Sequence, residues 1–245
     1  MRVFFIAALA ALAFVAQPRA AGQDRGAPAR APEAAKASAP LDLTGYWVAF
    51  VSEDWRFRMV TPRKGDYQAV PMTEQARKIA DAWDPAADEA AGNQCKAYGA
   101  AAIMRLAARF HITWQDDNTL RVDSDSGMQT RLLHFSSPPP ALGERTWQGY
   151  STAQWQRPAS LKVATTNLRA GYLRKNGVPY SENAAVMEYF DLAPLPGPKG
   201  YPGQVLLVTT IVDDPQYLRE PFIVSSQFKK EADGSKWDPT PCTAR

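Results

Sequence analysis

Between Phe110 and Phe228 the chain is a succession of short stretches in which apolar and polar residues alternate, each closed by turn-forming residues. The clearest runs from Ala108 to Trp114. It is followed by the turn Asp116-Asp117-Asn118, a second run from Leu120 to Asp123, and a turn at Ser126-Gly127. Further runs occupy residues 132–135, 147–156, 161–166, 186–190, 205–212 and 222–228. A period of two sends successive side chains to opposite faces of a strand. Strands spaced this closely, with no helix between most of them, pair as an antiparallel meander. An open meander leaves two unpaired edges, so the sheet must close or fold over. The predicted fold class is mainly β: an antiparallel meander closed into a barrel, with one short helical insertion after the first strands.

That insertion follows a first strand at Gly45-Tyr46-Trp47 and its continuation to Val51. Trp55, Phe57 and Met59 alternate with Asp54, Arg56 and Arg58, a strand-like pattern broken by the stretch from Pro62 to Asp66. A helix is then predicted: Thr73 can cap it, Glu74 sits in the first turn, and Ala76, Ile79, Ala80 and Trp83 repeat at helical spacing. Asp84-Pro85 starts a second helical turn that reaches Glu89 and stops at Gly92-Asn93. The segment from Arg169 to Asn183 reads as a long connection carrying Tyr172, Arg174, Tyr180 and Glu182. Its length marks it as a candidate ligand mouth.

The amino terminus has the pattern of a secretory signal: Arg2, an apolar stretch over residues 3–16, and small residues at Ala20-Ala21-Gly22. An apolar run of about fourteen residues falls short of the roughly 20 that a spanning helix needs. The expected organisation is a signal peptide over residues 1–22, a flexible Ala/Pro-rich tether over 23–40, and a single barrel domain over 41–245. The mature chain is expected to have no membrane span and to be periplasmic or secreted. The formal charge of +3 disappears with the first forty residues, since 23 basic and 23 acidic residues remain from Leu41 onward. A nucleic-acid binder needs a basic surplus or stripe, so nucleic acid is excluded as a partner. Lys229-Lys230 and Arg174-Lys175 read as solvated strand ends or loops. Cys95 and Cys242 are the two cysteines. An even pair in an oxidising compartment predicts a disulfide; the competing reading is two free thiols, one of them catalytic.

Candidates for chemistry are few. His111 and His134 are the two histidines. The apolar registers of Ile112 and Val122 place His111 opposite Asp123, either as a base with its orienting acid, as two metal ligands, or as a surface pair. Asp123 could instead face Arg131. A third ligand is missing, so no metal site is predicted, and no phosphate-cradling glycine loop or nucleophile elbow suggests a cofactor. Glu188 lies between Val186 and Phe190, either as an inward acid or paired with an Arg or Lys of a neighbouring strand. Seven tryptophans are spread over the chain. Trp47, Trp147, Tyr150, Tyr172 and Tyr180 are candidates to line an apolar pocket, with Arg131 and Glu182 as polar orienting groups.

Gly45-Tyr46-Trp47 on a first strand before a meander resembles the Gly-x-Trp opening of lipocalin and calycin barrels. Those families pack a late-barrel Arg on this Trp, and Phe222 to Lys230 contains no Arg. More of the chain is similar to a group of secreted bacterial proteins. The shared stretches are Glu53-Asp-Trp-Arg-Phe-Arg, Gly92-Asn-Gln-Cys-Lys-Ala-Tyr-Gly99, Trp147-Gln-Gly-Tyr150, Arg174 to Asn183 and Asp213 to Phe222. Distant members carry a His near the position of Tyr180-Ser181; this chain has none there. The resemblance implies a secreted lipocalin-like barrel and no particular activity. The expected function is binding of a small, largely apolar molecule. The alternatives are a barrel enzyme doing acid–base chemistry of isomerase, hydratase or cyclase type with Glu188, Tyr180 or the His111–Asp123 pair, and an envelope interaction module presenting its long loops.

Overall fold

The computed structural model describes residues 33–135, 143–194 and 203–245. The expected signal peptide and residues 23–32 of the tether lie outside the described residues. Period-two alternation becomes strand pairing almost throughout. The chain forms strand β1 (Gly45–Ala49), helices α1 (Trp55–Arg58), α2 (Glu74–Asp81) and α3 (Pro85–Ala90), and strands β2 (Arg109–Asp116), β3 (Thr119–Ser124) and β4 (Gln129–His134). It continues with β5 (Tyr150–Gln156), β6 (Ser160–Thr166), β7 (Gly171–Arg174), β8 (Val178–Tyr180), β9 (Ala185–Pro194), β10 (Gln204–Asp213) and β11 (Phe222–Glu231). Nine strands close a barrel in the order β1-β11-β10-β9-β6-β5-β4-β3-β2, and β7 with β8 forms a separate hairpin. Neighbours are antiparallel except β4 and β5, which pair in parallel through Leu133 with Ser151 and His134 with Thr152. Parallel pairing requires a crossover, and Gln148, just before β5, accordingly stands at the start of β4, where its amide donates to Gln129 Oε1 at 3.1 Å.

Barrel closure rests on β1, which pairs with β11 on one side and β2 on the other. Trp47 on β1 is fully buried and donates its indole N–H to Leu43 O at 2.9 Å. Its ring faces the ammonium of Lys230, its partner residue on β11, at 5.2 Å. Lys230 is exposed at the end of β11, as a solvated strand end would be, while its ammonium also lies over the Trp47 ring. Phe110, Ile112, Leu120, Val122, Leu133, Leu161, Val163, Phe190, Leu206, Val208 and Phe228 fill the interior around it. Leu168, Leu173, Val178, Tyr180, Val186, Val212 and Phe222 form a second cluster with Ala76 and Ala80 of α2. The helical insertion thus packs on the β7–β8 hairpin and covers one end of the barrel, which we call the capped end.

The helices obey their predicted caps. Thr73 Oγ1 accepts from Ala76 N at 3.2 Å, and Asp84 Oδ1 accepts from Ala86 N and Ala87 N ahead of Pro85. The stretch from Trp55 to Met59 departs from its strand-like pattern. Asp54 adopts a left-handed conformation (φ 51°, ψ 25°) that turns the chain into α1, and Arg58, polar by alternation, is turned inward. The long connection over residues 169–183 contains the β7–β8 hairpin. Its turn passes through Gly177 at φ 83°, where a Cβ would stand 2.3 Å from the Trp83 side chain.

Cys95 and Cys242 are joined as a disulfide across 147 residues. It fastens a carboxy-terminal strap whose Thr240 bridges to Ser126 and whose backbone bonds to Asp125 and Gly127. At the opposite end, residues read as tether are hydrogen-bonded to the barrel. Ala35 O accepts from the Trp155 indole at 2.8 Å, and Ala35 N donates to Asn118 Oδ1 at 3.0 Å. Among the described residues no helix is long and apolar enough to cross a membrane.

Candidate functional site

Helix α1, the segment leading into β2, the β3–β4 turn and the β7–β8 hairpin meet around one small cleft. Helix α1 and the residues after it supply Phe57, Arg58, Met59, Val60 and Thr61. A 3-10 turn at Ile103–Arg105 supplies Arg105, the β3–β4 turn supplies Ser126, and β7 with its turn supplies Leu173, Arg174 and Lys175. The cavity measures about 180 Å³. Three arginines converge on it, 8%, 6% and 4% exposed for Arg58, Arg105 and Arg174. Buried guanidinium groups ordinarily have every N–H paired. Here Arg58 Nε donates to Arg105 O at 3.0 Å, but both terminal nitrogens of Arg58 lack a hydrogen-bond partner among the described residues. Arg174 donates one terminal N–H to Gln68 O at 2.7 Å; its Nε and other terminal nitrogen lack one. Arg105 alone has a carboxylate, Asp54, at 3.1 Å, and that carboxylate is 39% exposed.

The rings around the cleft hold these cations in place. Arg174 lies 4.1 Å from the centre of the Phe57 ring, and Phe222 sits 5.6 Å from Arg105 and 6.0 Å from Arg174. Lys175, from the same turn as Arg174, donates to Tyr98 Oη and Thr243 Oγ1, both at 3.0 Å. Burial, and after it the neighbouring Arg105 charge, pushes the Arg174 guanidinium down to about 10. The same two causes lower Arg58. Asp54 acts on both arginines from a distance, but neither Arg58 nor Arg174 has a carboxylate in ion-pair contact among the described residues. The pair Arg174-Lys175, read as solvated, is instead half of this arrangement. The sequence does not single out Arg58 and Arg105: Arg58 is a charged residue sharing a short helical turn with Trp55 and Phe57, and nothing local marks Arg105.

The residues expected to carry chemistry lie elsewhere and apart. His111 is opposite Asp123 in the β2–β3 register, as the alternation implied. Its ring stacks flat on Tyr46, with centroids 4.0 Å apart, and Trp237 meets both edge-on. The Asp123 carboxylate accepts from Arg121 Nε at 2.7 Å and Thr130 Oγ1 at 2.5 Å, and it is Val122, not Asp123, that faces Arg131. Among the described residues no group of three His, Cys, Asp or Glu stands close enough to hold a metal ion.

Arg131 and Glu188 meet inside the barrel. Arg131 donates to Glu188 Oε2 at 2.5 Å, to Thr165 Oγ1 at 2.7 Å and to Ser151 Oγ at 3.2 Å, on four consecutive strands of the wall. Tyr180 is fully buried under the cap, its hydroxyl against Gly99 and Gly171. Tyr172 donates to Asp88 Oδ2 at 2.8 Å; burial and then that carboxylate push its phenol upward. Glu182 is exposed and pairs with Arg145, Arg169 lies over the Trp147 ring, and Tyr150 stacks on His134 at 4.9 Å. None of Tyr172, Tyr180, Glu182, Trp147 or Tyr150 lines the arginine cleft. Comparison of the sequence with protein-family models and with curated proteins finds no match for either.

Proposed function

We propose that this is an exported binding protein that holds a small molecule by an anionic group in the cleft at the capped end of the barrel. One observation carries the reading: four guanidinium nitrogens of Arg58 and Arg174 are buried, charged and unpartnered among the described residues beside a cavity. Leaving such groups unsatisfied is expensive. A fold under selection for stability alone would replace them; a site for a carboxylate, sulfate or phosphate keeps them, because planar N–H forks match those oxyanions. The disulfide and the amino-terminal signal pattern support export. The interior around Trp47 is packed with side chains, which favours a ligand at the cap over one in the lumen. Arg174 and Lys175 still come from the segment expected to form the mouth.

A ligand that binds only the folded state raises stability by about 2.7 kcal/mol at one hundred times its dissociation constant. For a chain of this size that corresponds to about 5–10 °C in Tm. Thermal unfolding in sulfate or phosphate, against chloride at matched ionic strength, should show such a rise with the logarithm of anion concentration. Arg174→Met and Arg58→Met should each abolish the rise while melting no lower than wild type in chloride, since each removes an unpaired buried charge. A wild-type Tm indifferent to both oxyanions, or a rise that survives in both variants, would refute the site.

A further inference from the structure

The cleft is too small for a whole ligand. Pockets that enclose small molecules run from about 300 to 1,000 Å³, whereas about 180 Å³ holds a head group and little more. The remainder must lie outside it, and an apolar stretch is at hand. Phe57, Met59 and Val60 are among the residues that line the cleft. Met59 is 58% exposed and Val60 62%, and Trp55, four residues before Met59 and so on the same side of the turn, is 66% exposed. Only six large apolar residues are strongly exposed among the described residues, and these three fall within six positions beside the arginines. Exposed apolar residues scattered singly need no explanation; a cluster beside a ligand cleft does.

Resting on the anion site proposed above, we infer that the ligand is an anionic amphiphile taken up as a single molecule. Its carboxylate or phosphate head sits on Arg58, Arg105 and Arg174, and its hydrocarbon chain lies along Trp55, Met59 and Val60. The depth of the charges selects a monomer over a membrane surface. The three arginines are more than nine-tenths buried, so a head group reaches them only after leaving the plane of a bilayer. Phe57, stacked against Arg174 at 4.1 Å, marks the boundary between the arginines and the apolar stretch.

Isothermal titration calorimetry of the full mature chain separates this inference from the reading beneath it. The titrants are inorganic phosphate, dodecyl phosphate and dodecanoate below their micellar concentrations, and the uncharged surfactant dodecyl maltoside. Dodecyl phosphate should bind at least tenfold more tightly than inorganic phosphate, dodecanoate should bind, and dodecyl maltoside should not. In the variant Trp55→Ser, whose side chain stands outside the lining of the cleft, dodecyl phosphate should weaken severalfold toward the affinity of inorganic phosphate, which itself stays unchanged and reports that the fold and the arginines are intact. Equal affinity for inorganic and dodecyl phosphate in the wild type would overturn the amphiphile and leave the anion site standing. Binding to none of the anions would remove both. Sedimentation with phosphatidylglycerol vesicles without tighter binding of dodecyl phosphate would replace the monomer with a bilayer surface and overturn the inference.

Discussion

Glu188 and Arg131 are 0% and 3% exposed and meet along one inner wall of the barrel, with two strands between theirs. Removing one partner of such a pair strands a buried charge and costs about 3–5 kcal/mol, whereas replacing both with apolar residues of similar volume is often neutral or stabilising. Glu188→Leu and Arg131→Met should each lower the urea midpoint strongly, and the double variant should recover most of the loss. Additive losses would mean that Arg131 stabilises chiefly through Ser151 and Thr165. The sequence shows that Glu188 faces inward, because Val186 and Phe190 flank it at period two. It does not show its partner, because Arg131 reaches it across two intervening strands, and the parallel join of β4 to β5 that sets their level has no local signature. The arginine cleft is harder still to read. Its three cations come from positions separated by 47 and 69 residues, and only the fold makes them neighbours.

Among the elements, α2 and α3 are legible because their caps are local chemistry, and the barrel strands because period two is imposed by the pleat. Helix α1 is not. Four residues are too few to display a helical period, and the left-handed turn at Asp54 is available to Asp without any glycine to announce it. The β7–β8 hairpin is read as a loop for a related reason: its two strands are four and three residues long. This hairpin holds Arg174 at the cleft, and its turn depends on Gly177, where positive φ and the Trp83 side chain leave no room for a Cβ. Gly177→Ala should cost more than about 1 kcal/mol. It should also weaken oxyanion binding, since the turn that follows Arg174 must shift. A variant as stable as wild type in a urea titration would show that Trp83 yields easily and that the hairpin is not pinned there.

For the molecule as a whole, one end of the barrel gathers α1 to α3, the β7–β8 hairpin and the carboxy-terminal strap, and the disulfide fastens that gathering. In the chain-entropy account a bridge closing a loop this long stabilises by about 5 kcal/mol, less any strain. Replacing Cys95 and Cys242 with alanine should therefore lower the unfolding free energy by several kcal/mol. It should loosen the strap at Thr243, where Lys175 donates, before it opens the barrel. Hydrogen exchange should show protection lost first at residues 240–245; simultaneous loss across β9 and β10 would mean the strap and barrel unfold as one. The closure itself has a consequence in time. Strand β1 is seated between β2 and β11, so its second partner is the last strand to be made. A nascent chain has nothing to complete the cylinder with until its final stretch has emerged, and such long-range pairing is slow. The polypeptide therefore stays threadable through most of its synthesis, which suits the proposed passage across a membrane before folding.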